Sequence, residues 1–206
     1  MSQYMLSDIN LDTLTELFNI GIGQAAASLS DMINENVELS VPHVSCKTMK
    51  DAETEIDNED WKQLSAIKQM FEGDFSGNAL LIFPEKDSLA LVRRLLDSDI
   101  SIDEISELEE DVLLEVGNII LNACFYSISN ILECKIAGEI PTHSRGNCRQ
   151  LFSSSGIDSD SIILQLSMKF SIPNHDVHGV ISFLMSMNAL QKLISLLDQY
   201  VAKLSV

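Results

Sequence analysis

"DTLTELFNIGIGQAAASLS" (residues 12–30) and "DVLLEVGNIILNACFYSIS" (residues 111–129) decide the fold, because they are two versions of one stretch. Asp12, Leu14, Glu16, Asn19, Ile20, Ser28 and Ser30 of the first meet identical residues at Asp111, Leu113, Glu115, Asn118, Ile119, Ser127 and Ser129 of the second, each 99 positions on (Asp12 to Asp111). Pro42 and Pro141 keep the same interval. An internal repeat of this kind governs the architecture, since each copy builds the same unit.

Outward from these stretches the pattern runs twice. Leu11, Leu14, Phe18, Ile22, Ala25, Leu29 and Met32 step by three and four, predicting an amphipathic helix over about 10–35. Leu113, Gly117, Leu121, Cys124, Ile128 and Ile131 predict its counterpart over about 104–133. After the first comes "VELSVPHVSCKTM", a β-branched strand whose Pro42 calls for an irregular or edge position. "DAETEIDNED" reads as an acidic loop, and "KQLSAIKQMFEG" and "SGNALLIFP" as a hairpin turning at Gly73-Asp74. "EKDSLALVRRLLD" closes the half as a shorter helix. In the second half "KIAGEIPTHS", "DSIILQLSMKFSI" and "HGVISFLMS" repeat the three strands, with "PNHD" as a turn, and "NALQKLISLLDQYVAKLSV" is the closing helix. The expectation is an α+β fold in one domain over 1–206. It is a duplicated α-β-β-β-α unit, with halves of about 1–100 and 101–206 related by a pseudo-two-fold. Six strands form a mostly antiparallel sheet, with both long helices on one face.

Composition removes several functions. A net charge of −18 opposes a phosphate backbone, so nucleic acid is not an expected partner, and an anionic membrane surface is disfavoured alike. A basic protein surface is favoured. The start lacks a secretory pattern and no uncharged apolar run is long enough for a membrane span, so a cytoplasmic protein without membrane insertion is expected. Cys46, Cys124, Cys134 and Cys148 form no C-x-x-C pair and read as reduced, mostly buried thiols.

Gly21-x-Gly23-x-x-Ala26 has the spacing of a dinucleotide fingerprint. That motif needs its glycines in a strand-to-helix turn, where phosphate meets the helix N-terminus. Here they fall within a helical pattern with no strand ahead of them, so a nucleotide-binding oxidoreductase is a third reading that the helix boundaries decide, and the glycines read as room for close packing beside Asn19. What repeats is polar: Asp12-x3-Glu16-x2-Asn19 and Asp111-x3-Glu115-x2-Asn118. Spacings of four and seven place each triplet on one helical stripe. Gly23, Ala26 and Ser30 extend the first stripe with small residues, a surface shaped to admit a partner.

The doubled pattern Asp/Ser-x3-Glu-x2-Asn-x22-Pro, with "ELFNIGIGQAAASLS" and "EVGNIILNA" around it, resembles the CheC/CheX/FliY chemotaxis phosphatases, CheC above all. Two motifs set the chain apart from CheX-like proteins, and its length leaves no room for the switch domain of FliY. The resemblance implies hydrolysis of the phosphoryl-aspartate of CheY or a related receiver. Asn19 and Asn118 would orient the attacking water, and Glu16 and Glu115 would dock on a receiver Lys. Asp12 and Asp111 would support them. It implies no cofactor of the chain's own, the Mg²⁺ being held by the receiver, and CheD as a further partner. A non-catalytic adaptor that binds a receiver or CheD is the reading from another class.

Other candidates are set aside. His175-x-x-His178 reads as turn polarity without further zinc ligands. His43 and His143 show no paired nucleophile in the sequence. The acidic run from Asp97 to Asp111 lacks the glycine and ligand order of a calcium loop. Met168, Met185 and Met187 are expected in the core.

Overall fold

The first long helix begins and ends where its sequence provides for it, and the second ends in the same way. In a computed structural model that describes residues 6–58, 61–96, 102–154, 162–172 and 175–204, α1 spans Asp8–Ile33. The Ser7 hydroxyl caps it, accepting from the Asn10 N–H at 3.2 Å. At the other end Asn34 takes a left-handed conformation with φ 53°, which lets the chain leave the helix. Glu133, the matching position of the second half, has the same φ of 53°. Ser30 and Ser129 serve these exits. The Ser30 hydroxyl accepts from the Val37 N–H at 3.0 Å, and the Ser129 hydroxyl donates to the Cys134 carbonyl at 2.5 Å. Ser30 is therefore used inside the fold and does not extend a docking stripe.

The remaining elements are β1 (Glu38–Thr48), α2 (Met49–Asn58), β2 (Leu64–Gly73), β3 (Gly77–Pro84) and α3 (Glu85–Leu95) in the first half. The second half holds α4 (Ile102–Ile131), β4 (Ile136–Gly138), β5 (Thr142–Gly146), α5 (Cys148–Ser153), β6 (Ile162–Ile172), β7 (His175–Met185) and α6 (Met187–Leu204). Several expectations need correction: seven strands are described where six were expected, and α5 is an additional short helix. The acidic segment after β1 is helical, not a loop: it carries Ala52 and Ile56 four residues apart, and both are buried. The last strand starts at His175, so His175 and His178 lie on β7 and not on a turn; Pro173 and Asn174 of the expected turn are outside the described residues. The acidic run is helical from Ile102 onward, and its first residues are also outside that range.

All strand pairs are antiparallel, in the order β1-β6-β7-β3-β2 and then β4 and β5 end to end against β2. The first strand of each half thus pairs with the second strand of the other half, and the two third strands, β3 and β7, meet at the centre. The prolines explain both edges. From Ser40 to His43 the edge strand advances three residues while β6 advances two, a bulge at Val41-Pro42. From Gly138 to Thr142 it advances four while β2 advances three, so Pro141 interrupts the strand into β4 and β5. A residue without an N–H is tolerated at such edges and bulges.

Both faces of the sheet are covered. The larger core lies under α1, α4, α3 and α6, where Phe18, Phe71, Phe125 and Phe183 stack with centroids 5.2 to 6.1 Å apart. The other face holds a smaller core, with Ala52 and Ile56 of α2 and Leu151 and Phe152 of α5 packing on Leu64, Ala66, Leu80 and Leu184. The cysteines are free thiols, with Cys124, Cys134 and Cys148 buried and Cys46 half-buried. Burial pushes the Cys124 thiol up to about 12. Met168 and Met185 are in the core, and Met187 packs against it. Among the described residues one helical segment, Leu108–Ile131, is long and apolar enough to cross a membrane, and half of its most apolar window is buried against the rest of the protein.

Candidate functional site

Helices α1 and α4 lie against each other on the larger-core side. Gly21 makes this contact possible. A Cβ there would stand 2.7 Å from the Ala123 carbonyl oxygen and 3.1 Å from Ser127 Cβ. The Ser127 hydroxyl closes the crossing by donating to the Leu17 carbonyl at 2.6 Å. The space at Gly21 is therefore filled by α4. Gly23 is different: a Cβ there would meet nothing within 4 Å. Only Gly23 leaves open surface one turn beyond Asn19. Since both glycines lie well inside α1, more than three turns from its start, the strand-to-helix turn of a dinucleotide site is excluded.

Burying Leu14, Leu17, Phe18 and Ile22 turns the opposite stripe of α1 outward, and Asp12, Glu16 and Asn19 are all exposed on it. On α4, Leu113, Val116, Ile120 and Leu121 are buried, and Asp111 and Glu115 are exposed. Asn118 is half-buried. All six polar residues singled out from the repeat thus reach the surface as two triplets on adjacent helices.

The second triplet faces a shallow cleft of about 570 Å³ lined by Asp111, Leu114, Glu115, Asn118, Asn122 and Gln69, with Gly138 to Pro141 as the far wall. That wall is the break between β4 and β5. It sets Ile140, 89% exposed, at the rim. Within the cleft three amides are joined. Gln69 on β2 is buried, and its Nε2 donates to the Glu139 carbonyl at 2.8 Å and to Asn122 Oδ1 at 3.1 Å. Asn122 Nδ2 in turn donates to Asn118 Oδ1 at 2.7 Å. In sequence Asn122 reads only as a bulkier residue where the first half has Gly23, and Gln69 carries no signal because Met168 holds its matching position.

Each triplet is also braced at its N-terminal side by a buried polar residue at one repeat position. Asn10 Nδ2 donates to Asp198 Oδ1 of α6 at 3.0 Å. Glu109, 1% exposed, pairs with Arg145 of β5 at 2.5 Å.

His143 has a hydroxyl partner after all: Ser65 Oγ lies 2.7 Å from its Nε2. Ser65 is fully enclosed, so no substrate carbonyl can reach it and the pair is a structural hydrogen bond. Among the described residues no group of three His, Cys, Asp or Glu side chains is arranged to hold a metal ion.

Known proteins share part of this sequence and the fold. The CheC-like family model matches residues 9–46, which is α1 with its triplet and most of β1. The CheY-P phosphatase CheC of Bacillus subtilis (strain 168) is 22% identical over 139 residues, 66% of this chain and 66% of its own. The flagellar motor switch phosphatase FliY of the same organism is 22% identical over 172 residues, which is 81% of this chain but 44% of that protein. The chain therefore spans under half the length of that FliY. Among solved structures, Thermotoga maritima FliY superposes with a TM-score of 0.77 at 16% identity, covering 95% of this chain and 98% of that one. The FliM middle domain from Helicobacter pylori has a TM-score of 0.62 at 13% identity over 93% of this chain and 99% of its own. The fold is thus shared by proteins named for different tasks and does not by itself assign one. Over α1 and most of β1 the chain is thus similar to the CheC-like family, and over almost its whole length it shares the fold of FliY.

Proposed function

We propose that the chain hydrolyses the phosphoryl-aspartate of CheY or a related receiver domain. The observation that carries this reading is the pair of exposed Asp-Glu-Asn triplets, at the same phase on α1 and α4, in a chain whose relatives include a CheY-P phosphatase. An acyl phosphate is reactive, and the receiver brings its own Mg²⁺ to the phosphoryl group. What remains is to set a water in line with the scissile bond. The amide of Asn19 or Asn118 does this by accepting a hydrogen bond from the water at Oδ1, as water-positioning glutamines do in GTPases. The water oxygen bonds to phosphorus as the P–O bond to the aspartate breaks, and the carboxylate leaves with that electron pair. Glu16 and Glu115 pair with a receiver lysine. Such a charge-assisted bond gains strength once docking excludes water. Asp12 and Asp111 extend the same negative stripe and orient the approach. CheD belongs to this proposal as a second partner.

The test follows the decay of labelled CheY-phosphate with this chain well below stoichiometric amounts. Many turnovers per chain are expected. Protection that saturates at one equivalent would instead establish an adaptor.

A further inference from the structure

The three joined amides of the cleft have a fixed direction, and this bears on Asn118. A backbone carbonyl can only accept, so the Glu139 carbonyl forces the nitrogen of Gln69 toward it. The same nitrogen meets Asn122, which must therefore present its oxygen. The Asn122 nitrogen is then left for Asn118, whose oxygen is drawn along the helix to meet it at 2.7 Å. The amide is planar, so the group Asn118 turns away from Asn122 is its NH₂. Gln69 is 1% exposed, so the anchor of this chain of bonds is held inside the sheet.

We infer that Asn122 is a positioning residue which, anchored by Gln69 on the Glu139 carbonyl, holds Asn118 with its carbonyl engaged and its NH₂ presented to the cleft, so that the second triplet turns over below its capacity. This rests on the water-orienting role proposed above. An NH₂ donates to one of the water's two lone pairs and draws electron density from the oxygen that must attack phosphorus, whereas the carbonyl accepts a water proton and leaves both lone pairs available. The Asn118 oxygen keeps a second acceptor site, but the bond from Asn122 fixes the amide plane, so aiming that oxygen at a water in the cleft works against this bond in each catalytic cycle. The same three amides do not recur at the first triplet, where the matching positions are Gly23, which has no side chain, and Met168, which has no amide.

The second triplet is tested against itself, in an Asn19→Ala background that silences the first. Adding Asn122→Ala removes the hold from the exposed helix surface. Adding Gln69→Met, the residue the other half carries, removes only the anchor. Both are expected to raise kcat for CheY-phosphate by about threefold or more, with KM unchanged. A merely structural role would lower kcat or leave it alone. Unchanged or reduced kcat in Asn122→Ala, while the Asn118→Ala chain still hydrolyses CheY-phosphate through its first triplet, overturns this inference and leaves the proposed function standing. Inactivity of the intact chain overturns both.

Discussion

The two motif helices carry the same triplet in different settings. On α1 the triplet stands on open surface, and Phe18, on the buried face beside Asn19, packs into the aromatic cluster. On α4 the residue matching Phe18 is Gly117, where a Cβ would press to 2.4 Å from the Ile67 side chain. That helix therefore lies directly on β2, and its triplet faces the cleft that the broken edge strand leaves. One ancestral surface can thus be kept in side chains while the support beneath it is rebuilt. The polar braces show the same divergence. Asn10 and Glu109 share a repeat position but reach to α6 and to β5 respectively.

The comparison can be broken at its strongest point first. Replacing Asn19 and Asn118 together by Ala should reduce CheY-phosphate hydrolysis by about 100-fold or more, the scale of losing a positioned polar group. Each single replacement should leave the other triplet working. Full activity in the double variant would end the proposed mechanism.

The braces come next. Arg145→Met leaves the buried Glu109 carboxylate without its cation and should lower stability by about 3 kcal/mol. Asn10→Ala leaves only the exposed Asp198 and should lower it by about 1 kcal/mol. Urea unfolding measures both, and equal losses would refute the difference in burial. The glycines give a pair of opposite sign. Gly21→Ala forces α1 off α4 and should destabilise by about 1–3 kcal/mol. Gly23→Ala meets open space and should stabilise by up to about 1 kcal/mol.

The smallest effect is at His143. Burial, then the Arg145 guanidinium, hold its imidazole below the ordinary 6.5 against an opposing pull from Glu110 and Glu109. The folded chain therefore prefers the neutral ring. That contribution to stability is complete above 6.5 and is lost as pH falls below it toward the folded-state midpoint. An NMR titration should place that midpoint under 6.5, and Arg145→Met should move it upward.

Much was determined by the sequence alone. The repeat of Asp12, Glu16 and Asn19 at Asp111, Glu115 and Asn118 identified both helices, their phase and their exposed stripe, because helical periodicity is a local property. Pro42 and Pro141 marked the edges for an equally local reason, the missing N–H. Tertiary structure alone decided the rest. The exchange of first strands between the halves is set by long-range pairing that no local pattern records. Whether a glycine clears space for a helix or for solvent depends on what lies opposite it, so Gly21 and Gly23 look alike in sequence and differ in fact. The Gln69–Asn122–Asn118 chain joins β2 to α4 across 53 residues of sequence, and its direction comes from a backbone carbonyl on a third segment. Only the folded chain brings those three amides together.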